Sequence, residues 1–303
     1  MKHIVVHEVG PRDGLQMERE VVPTDTKEDW IRRTMESGVD IVQVGSFVHP
    51  VKVPQMADTD ELIRRLVRDK CSPVILAGLA LNKRGMERGL ECGVEMFALG
   101  ASASETHSMK NTGMASMDAT HRIIGAGQEA LSAGKKVQVS VQSAFGCGFE
   151  GPISEVRVLE MAAAYVDAGL FNISLADTAG HAHPTQVERL FSAVLDLDPN
   201  VECTAHFHNT YGLGMANIMA ALRVGVTSFE TSFAGLGGCP FTKVAAGNVA
   251  TEDFVNALQL QGVREDIDLG RLIKVAGDVA GYFDRDMPGC VYKTGSIRSR
   301  ELA

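Results

Sequence analysis

Two histidines, His206 and His208, stand two positions apart at the end of an apolar run that predicts a strand. Alternate residues of a strand point to the same side, so both imidazoles face one way, about 7 Å apart along the chain. With a carboxylate from another strand and an amide oxygen, they suit Mg²⁺ or Mn²⁺, with Zn²⁺ or Co²⁺ as further choices. Asp13, just after the first predicted strand, is the natural carboxylate. The alternative is a pair of hydrogen-bonded histidines that binds no metal.

Two further residues have side chains suited to chemistry. Arg12, next to Asp13, is a candidate partner for a substrate carbonyl, a carboxylate or a developing enolate. Cys239 follows a glycine-rich segment, so it could deliver a thiol to the site when that loop closes. The alternatives are a structural salt bridge for Arg12 and a small buried apolar side chain for Cys239.

The elements that must position these residues alternate between short apolar runs and longer amphipathic stretches. The predicted strands are Ile4–Glu8, Asp40–Val44, Val74–Gly78, Met96–Gly100, Val137–Val141, Phe171–Leu175, Glu202–Phe207 and Ser228–Thr231. The predicted helices are Asp25–Ser37, Asp60–Val67, Asn82–Glu91, Met117–Ala133, Ser154–Ala168, Pro184–Leu195, Tyr211–Val224, Gly247–Leu258 and Leu269–Asp284.

Eight strand-then-helix units predict an α/β chain with a closed (β/α)8 TIM barrel and a short C-terminal helical extension. A Rossmann-type sheet is the main competitor, but no GxGxxG lies between the first strand and the first helix. The first strand of a closed barrel lies beside the last, which would bring Asp13 near the two histidines. We expect one domain over residues 1–303, with residues 268–303 as the extension.

Composition restricts the partners and the compartment. Of 303 residues, 38 are acidic and 29 basic, giving a net charge of −9, which argues against nucleic acid. No stretch approaches the roughly 20 apolar residues that a membrane helix needs, and the N-terminal residues lack a signal-peptide layout. The six cysteines include no CxxC pair, so a disulfide framework is not expected. We therefore expect a cytoplasmic protein without a nucleic-acid or membrane partner.

Several ordered motifs resemble the 3-hydroxy-3-methylglutaryl-CoA lyase family, within a wider group of metal-dependent barrel lyases and Claisen-type synthases. The resemblance extends from about Val6 to Asp253. The motifs are EVGPRDGLQ from Glu8, SFV from Ser46, VPQMAD from Val53, DT at Asp177, HFHNTYG from His206, AGLGGCP from Ala234 and GNVATED from Gly247.

The resemblance implies roles for individual residues. Asp13, His206 and His208 would be metal ligands, with Asn248 joining them, and Arg12 would stabilise the enolate. Other residues would act on the substrate, namely Cys239 in proton transfer, Asp177 near the substrate hydroxyl, and Gln16, Gln43 and Ser46 as contacts, with Gln43 at a catalytic position.

The implied reaction is the metal-dependent cleavage of a 3-hydroxyacyl-CoA thioester, such as 3-hydroxy-3-methylglutaryl-CoA, to acetyl-CoA and acetoacetate. The resemblance also suggests a homodimer. One departure bears directly on the substrate: Gln43 stands where the family typically has a glutamate, and an amide cannot act as a base. The alternatives are a lyase for a citramalyl-CoA-like substrate, a condensing synthase that uses acetyl-CoA, and a metal-binding barrel without catalysis.

Overall fold

The computed structural model describes residues 3–238 and 247–297. Within them, eight parallel strands form a closed barrel in chain order, and the last strand pairs with the first. The strands are β1 (Val5–Glu8), β2 (Ile41–Ser46), β3 (Ile75–Leu79), β4 (Met96–Ser102), β5 (Lys136–Gln142), β6 (Asn172–Asp177), β7 (Glu202–Phe207) and β8 (Ser228–Thr231). The predicted (β/α)8 barrel is confirmed.

Helices connect consecutive strands and pack around the barrel, where the main apolar core lies between the outer faces of the strands and the helices. They are α1 (Thr24–Glu36), α2 (Thr59–Arg68), α3 (Lys83–Cys92), α4 (Glu105–Thr112), α5 (Ser116–Ser132), α6 (Glu155–Asp167), α7 (Pro184–Leu195), α8 (Gly214–Arg223), α9 (Thr251–Gln259), α10 (Leu269–Tyr282) and α11 (Val291–Thr294).

Two helices of the structure, α4 and the single turn α11, were not predicted from the sequence. The short helix α4 begins where the Ser104 hydroxyl accepts a hydrogen bond from the backbone N–H of His107 at 3.0 Å. It ends at Gly113, whose φ of +69° is the left-handed conformation that glycine tolerates best. Because only two of its eight residues are buried, the helix has no apolar periodicity for the sequence to reveal.

A second difference lies at the start of α9, where the prediction of a helix from Gly247 was wrong. The segment 247–250 is extended between the ends of β7 and β8, with bridges from Asn248 to His208 and from Ala250 to Ser232. The helix begins at Thr251. This extended segment places Asn248 beside His208, which a helix from Gly247 would not do.

The barrel interior changes character along its axis. Near the amino ends of the strands, Ile41, Ala77 and Met96 form an apolar cluster. Further along, the interior is polar: His7 and His206 each lie opposite Glu230 in the strand register, and all three are at most 5% exposed. Polar side chains are therefore concentrated toward the carboxyl end, where barrels of this type place their chemistry.

The C-terminal helices follow the barrel, as the sequence predicts. Helix α10 packs on α1 and on the turn after β8, where the Trp30 ring meets Tyr282 and Phe233 edge-on at 5.5 and 6.2 Å between ring centroids. No helix among the described residues is long and apolar enough to cross a membrane. The treatment of residues 1–303 as one domain stays a prediction.

Candidate metal centre and substrate cavity

Asp13, His206 and His208 converge at the carboxyl end of the barrel and form the metal-ligand cluster. The two Nε2 atoms of the histidines lie 3.1 Å apart, and Oδ2 of Asp13 lies 3.5 Å from that of His208 and 3.9 Å from that of His206. A cation about 2.0–2.2 Å from each ligand atom sets such atoms roughly 3–4 Å from one another. The three donors therefore fit one cation.

A single π-helical turn, Gly10–Gly14, carries Asp13 from the end of β1 to the centre of the barrel mouth. The carbonyl of Val9 accepts a hydrogen bond from the backbone N–H of Asp13 at 2.7 Å. A Cβ on Gly10 would come within 2.6 Å of Oε1 of Glu8, so the first position of the turn requires glycine. This local geometry explains how the short sequence GPRDG aims a carboxylate at the two imidazoles.

Asn248, the fourth predicted metal ligand, lies next to the cluster. Its Nδ2 donates to Oδ2 of Asp13 at 2.8 Å and to the carbonyl of Leu236 at 3.2 Å. Its Oδ1 is buried and has no hydrogen-bond partner within residues 3–238 and 247–297. The O and N of an amide are assigned from their surroundings, and turning this amide would present Oδ1 to the cluster. With that oxygen the ligand atoms would be two nitrogens and two oxygens, a set that fits a divalent cation. The ligand role of Asn248 stays a prediction.

Electrostatics keep two of the three ligand groups, Asp13 and His208, in the protonation states that a metal needs. Burial alone would raise the pKa of Asp13, but Arg12 and the two imidazoles hold that pKa well below its usual range. Burial lowers the pKa of His208, and the charges of His206 and Arg12 lower it further, against the raising effect of Asp13. Burial also acts to lower the pKa of His206, but Glu230 and Asp13 raise it overall. An ionised Asp13 and a neutral His208 are ready to coordinate.

Arg12 lies between the cluster and Gln43. Its Nη1 donates to Oδ1 of Asp13 at 2.5 Å, and its Nε donates to Oε1 of Gln43, which is almost fully buried on β2. A carboxylate at position 43 would neutralise the guanidinium, whereas the amide accepts the hydrogen bond without adding charge. In the described part of the chain, Asp13 alone is ion-paired with Arg12.

A cavity of about 260 Å³ adjoins the metal-ligand cluster. Its lining combines the cluster with neutral polar side chains from the barrel wall and helix α4, among them Gln138, Ser140, Ser174 and His107. Arg12 and Gln43 also line it. The cavity therefore combines charged and metal-ligating groups with uncharged polar side chains.

The other predicted substrate contacts are distributed unevenly. Gln16 lines the cavity, and its Oε1 is buried without a hydrogen-bond partner in the described ranges. Ser46 is fully buried on β2 away from the lining, with its backbone N and O each 3.2 Å from the Thr59 hydroxyl. Cys239 lies outside the described residues, although Gly238 before it reaches the cavity. The roles of these residues stay predictions.

Asp177 ends β6 and faces away from the cavity. Its carboxylate accepts hydrogen bonds from the backbone N–H groups of His181 at 2.8 Å and Ala182 at 3.1 Å. Its neighbours Ala176 and Thr178 line the cavity, so the alternation of the strand directs Asp177 to the other side. Burial raises the pKa of Asp177 to about 7, although these hydrogen bonds lower it. A catalytic role for Asp177 stays a prediction.

Sequence reasoning assigned no role to a buried polar layer beneath the metal-ligand cluster, formed by His7, Gln138 and Glu230. Glu230 accepts hydrogen bonds from His206 and from Gln138, and the Nδ1 of His7 lies 3.6 Å from Oε1 of Glu230. The available signal was the acidic residue inside the short strand β8, because a carboxylate in a barrel interior must have partners.

Sequence reasoning also missed the role of Glu8, which ties three segments of the barrel mouth together. Its carboxylate accepts hydrogen bonds from the backbone N–H groups of Gly10 at 2.6 Å and Phe233 at 2.9 Å. It also accepts one from the hydroxyl of Thr251 at 2.7 Å. These contacts join the turn that carries Asp13 to Phe233, just after β8, and to Thr251, the first residue of α9. Burial raises the pKa of Glu8 to about 7, although the three hydrogen bonds lower it.

The pKa of Glu8 predicts how Glu8→Gln changes the stability of the metal-free protein. Relative to the original chain, the free energy of unfolding of Glu8→Gln should be larger at pH 8 than at pH 5. A glutamate has a pKa near 4.5 when unfolded, so the folded state retains a proton between pH 4.5 and 7 that the unfolded state releases. The stability due to Glu8 is present below pH 4.5 and is lost as the pH rises through 7, by up to about 3 kcal/mol. Glutamine cannot titrate and escapes this loss. Urea unfolding at both pH values measures the effect, and an equal difference at pH 5 and 8 would contradict it.

A larger cavity, about 880 Å³, opens at the opposite end of the barrel, at the amino ends of the strands. Its most buried charged group, Arg264, is ion-paired with Asp40 at 2.6 Å and with Asp266 at 2.9 Å. The metal-ligating residues lie at the other end. Size alone therefore does not identify the functional site. The smaller cavity is the candidate because it is lined by Arg12 and the metal-ligand cluster.

Comparisons with known proteins identify the family of the chain. The HMGL-like family model matches residues 3–279. The chain is 34% identical to a hydroxymethylglutaryl-CoA lyase of Bacillus subtilis, over 95% of each chain. It is 36% identical to the (R)-citramalyl-CoA lyase of Chloroflexus aurantiacus, over 98% of this chain and 96% of that one.

Among solved structures, an HMG-CoA lyase from Acinetobacter baumannii in complex with coenzyme A and 3-methylmalate has a TM-score of 0.91 and 38% identity. The match covers 97% of this chain and 96% of that one. The relatives are carbon–carbon lyases, and the predicted enzyme class is confirmed. The chain belongs to the HMGL-like family.

Proposed function

We propose that this chain is a divalent-metal-dependent lyase that cleaves a 3-hydroxyacyl-CoA, such as 3-hydroxy-3-methylglutaryl-CoA, to acetyl-CoA and a keto acid such as acetoacetate. The observation that carries the proposal is the convergence of Asp13, His206 and His208 beside Arg12 in one cavity. Support for a thioester substrate comes from the similar Acinetobacter baumannii lyase, which was solved with coenzyme A. Mg²⁺ or Mn²⁺ is the proposed metal.

The charges that line the cavity fit an anionic substrate. Asp13 and Glu230 are ionised near neutral pH, since nearby cationic groups and hydrogen bonds hold both pKa values below normal, that of Glu230 at about 2 despite its burial. Arg12 compensates one of these two negative charges. A divalent cation would turn the remaining single negative charge into a single positive one. A substrate that carries one carboxylate beside its hydroxyl would then be neutralised on binding.

Each group of the site has a defined part in the proposed cleavage. A divalent cation held by Asp13, His206 and His208 would supply the positive charge that makes a tertiary hydroxyl acidic enough to ionise near neutral pH, a stabilisation of about several kcal/mol. The hydroxyl gives its proton to solvent water, the bond between C2 and C3 of the acyl chain breaks, and the electron pair moves to the thioester carbonyl as an enolate. Arg12 lies next to the cluster and stabilises that enolate oxygen. A proton delivered to the carbon, for which Cys239 is the candidate donor, completes acetyl-CoA.

A citramalyl-CoA-like substrate is the second candidate. It is favoured by the (R)-citramalyl-CoA lyase among the relatives and by Gln43, which contributes a neutral amide beside Arg12. Both candidate substrates place a hydroxyl and a carboxylate on the part of the molecule that becomes the keto acid. They differ in the length of that part, and the uncharged wall of the cavity would discriminate between the two lengths.

The test is a turnover assay with a set of acyl-CoA thioesters. Metal-free protein is loaded separately with Mg²⁺, Mn²⁺, Co²⁺ and Zn²⁺, and acetyl-CoA release from 3-hydroxy-3-methylglutaryl-CoA and citramalyl-CoA is followed by mass spectrometry. We expect release that depends on added metal and is removed by EDTA. Turnover of neither compound would contradict the proposed substrates, and condensation of acetyl-CoA with a 2-oxo acid would favour the synthase alternative. Metal binding with no reaction of any thioester would favour the non-catalytic barrel.

Two sequence expectations complete the proposal. The homodimer and the cytoplasmic location are predictions from the family resemblance and from composition, and the oligomeric state is measurable by light scattering. Mass spectrometry after alkylation would test whether the Cys239 thiol is accessible and whether bound substrate protects it, as a position at the cavity requires.

A further inference from the structure

Glu230 contacts the metal-ligand cluster from within the barrel. Its Oε2 lies 2.7 Å from Nδ1 of His206, which is the ring nitrogen that does not face Asp13 and His208. The two residues are direct neighbours in the register of β7 and β8. Glu230 is 5% exposed, so the contact is shielded from water.

We propose that Glu230 is a positioning residue for the metal centre, which fixes the ring orientation and the tautomer of His206. A carboxylate at Nδ1 requires that nitrogen to carry the proton, which leaves the lone pair on Nε2. That Nε2 is the atom 3.1 Å from Nε2 of His208 and 3.9 Å from the carboxylate of Asp13. The inference rests on the proposed metal-dependent function, since it assigns a role toward the same cation.

Glu230 is itself held in place from the opposite side. Gln138 on β5, 2% exposed, donates its Nε2 to Oε1 of Glu230, so each carboxylate oxygen has a different partner. His7 on β1 packs beside Oε1 with Nδ1 at 3.6 Å, and burial lowers the pKa of His7 to about 4, which leaves it neutral. Strands β1, β5 and β7 therefore surround the carboxylate of β8 inside the barrel, and a small displacement of Glu230 would meet one of them.

His208 provides an internal contrast. Its Nδ1 is buried and has no hydrogen-bond partner in the part of the chain that the structure describes. The tautomer of His208 is therefore set only by the cluster itself, whereas that of His206 is set in advance. A preformed ligand lowers the cost of assembling the site, and loss of such an outer partner typically weakens metal affinity about 10–100-fold.

Two substitutions separate the hydrogen bond of Glu230 from its charge. Glu230→Gln can keep an oxygen on Nδ1 of His206, because Gln138 can turn its amide and accept from the new NH₂ group with its otherwise unpartnered Oε1. Glu230→Ala removes the acceptor. Asp40→Asn is the matched control, since it alters a carboxylate at the opposite end of the barrel whose partner Arg264 keeps its ion pair with Asp266.

The experiment measures Co²⁺ and Mn²⁺ affinity by calorimetry, the visible spectrum of the Co²⁺ form, and histidine tautomers by ¹⁵N NMR of the metal-free chain. We expect Glu230→Ala to bind about 10–100-fold more weakly with a shifted Co²⁺ spectrum. Glu230→Gln should stay within about threefold of the original chain, and Asp40→Asn should be unchanged. The His206 signal, identified by its loss in His206→Asn, should report a proton on Nδ1.

Failures of the two proposals are distinguishable. If the unaltered chain binds neither cation, the proposed function is wrong. If it binds them, the positioning role is overturned by unchanged affinity in Glu230→Ala, by equal losses in Glu230→Gln and Glu230→Ala, or by a neutral His206 ring that carries its proton on Nε2. The NMR result needs no variant at Glu230, so it decides the matter even if Glu230→Ala fails to fold.

Discussion

Asp13→Asn should lower kcat/KM for the acyl-CoA substrate by about 10³-fold or more and should reduce metal occupancy. The carboxylate is the only negatively charged member of the ligand cluster, and its Oδ2 lies within 3.9 Å of both imidazole Nε2 atoms. Asparagine preserves the shape and can still accept a hydrogen bond from Arg12, but it removes the charge that attracts the cation. Elemental analysis after gel filtration and initial-rate kinetics at a fixed low Mn²⁺ concentration measure the two effects.

Asp40→Asn serves again as the control for a general effect of losing a carboxylate from the barrel. It should keep normal metal content and a normal kcat. Raising the Mn²⁺ concentration should restore part of the activity of Asp13→Asn if the loss lies in binding. Full activity of Asp13→Asn at low metal concentration would exclude Asp13 as a ligand and would leave the function without its main support.

The convergence of Asp13 with the two histidines was predictable because it follows from two simple rules. Strand alternation puts His206 and His208 on one side, and closure of a parallel barrel puts the end of β1 next to that of β8. The same rules do not give the rotamers. They could not show that Arg12 donates to both Asp13 and Gln43, because that depends on the π-helical turn that presents it.

Other features depend on tertiary contacts that have no local signal. Helix α4 is mostly exposed, and its first turn is fixed by the Ser104 hydroxyl rather than by apolar spacing. Asn248 pairs with His208 because residues 247–250 are extended, whereas the sequence predicted a helix from Gly247. Glu230 was visible as an acidic residue in a strand, but its contact with His206 requires the register between β7 and β8.

Arg12→Met should lower kcat by about 10²–10³-fold while metal affinity changes much less. Methionine fills a similar volume but offers no charge and no hydrogen bond to a developing enolate. Arg12→Lys should be intermediate, because an ammonium keeps the charge but cannot imitate the planar guanidinium, which donates from separate nitrogens to Asp13 and Gln43. Steady-state kinetics with calorimetric titration of Mn²⁺ separate catalysis from metal binding.

Gln43→Glu tests the positive charge of Arg12 by placing a carboxylate beside the guanidinium instead of removing it. A carboxylate at position 43 would form an ion pair with Nε of Arg12, so less of the positive charge would reach the substrate. We expect about a tenfold lower kcat for the compound that the unaltered chain turns over best, with metal affinity close to normal. A large gain with 3-hydroxy-3-methylglutaryl-CoA would contradict this expectation and would mean that the glutamine redirects the site to a different thioester. A loss of metal binding in Arg12→Met equal to that in Asp13→Asn would show that Arg12 supports the metal centre and does not act on the enolate.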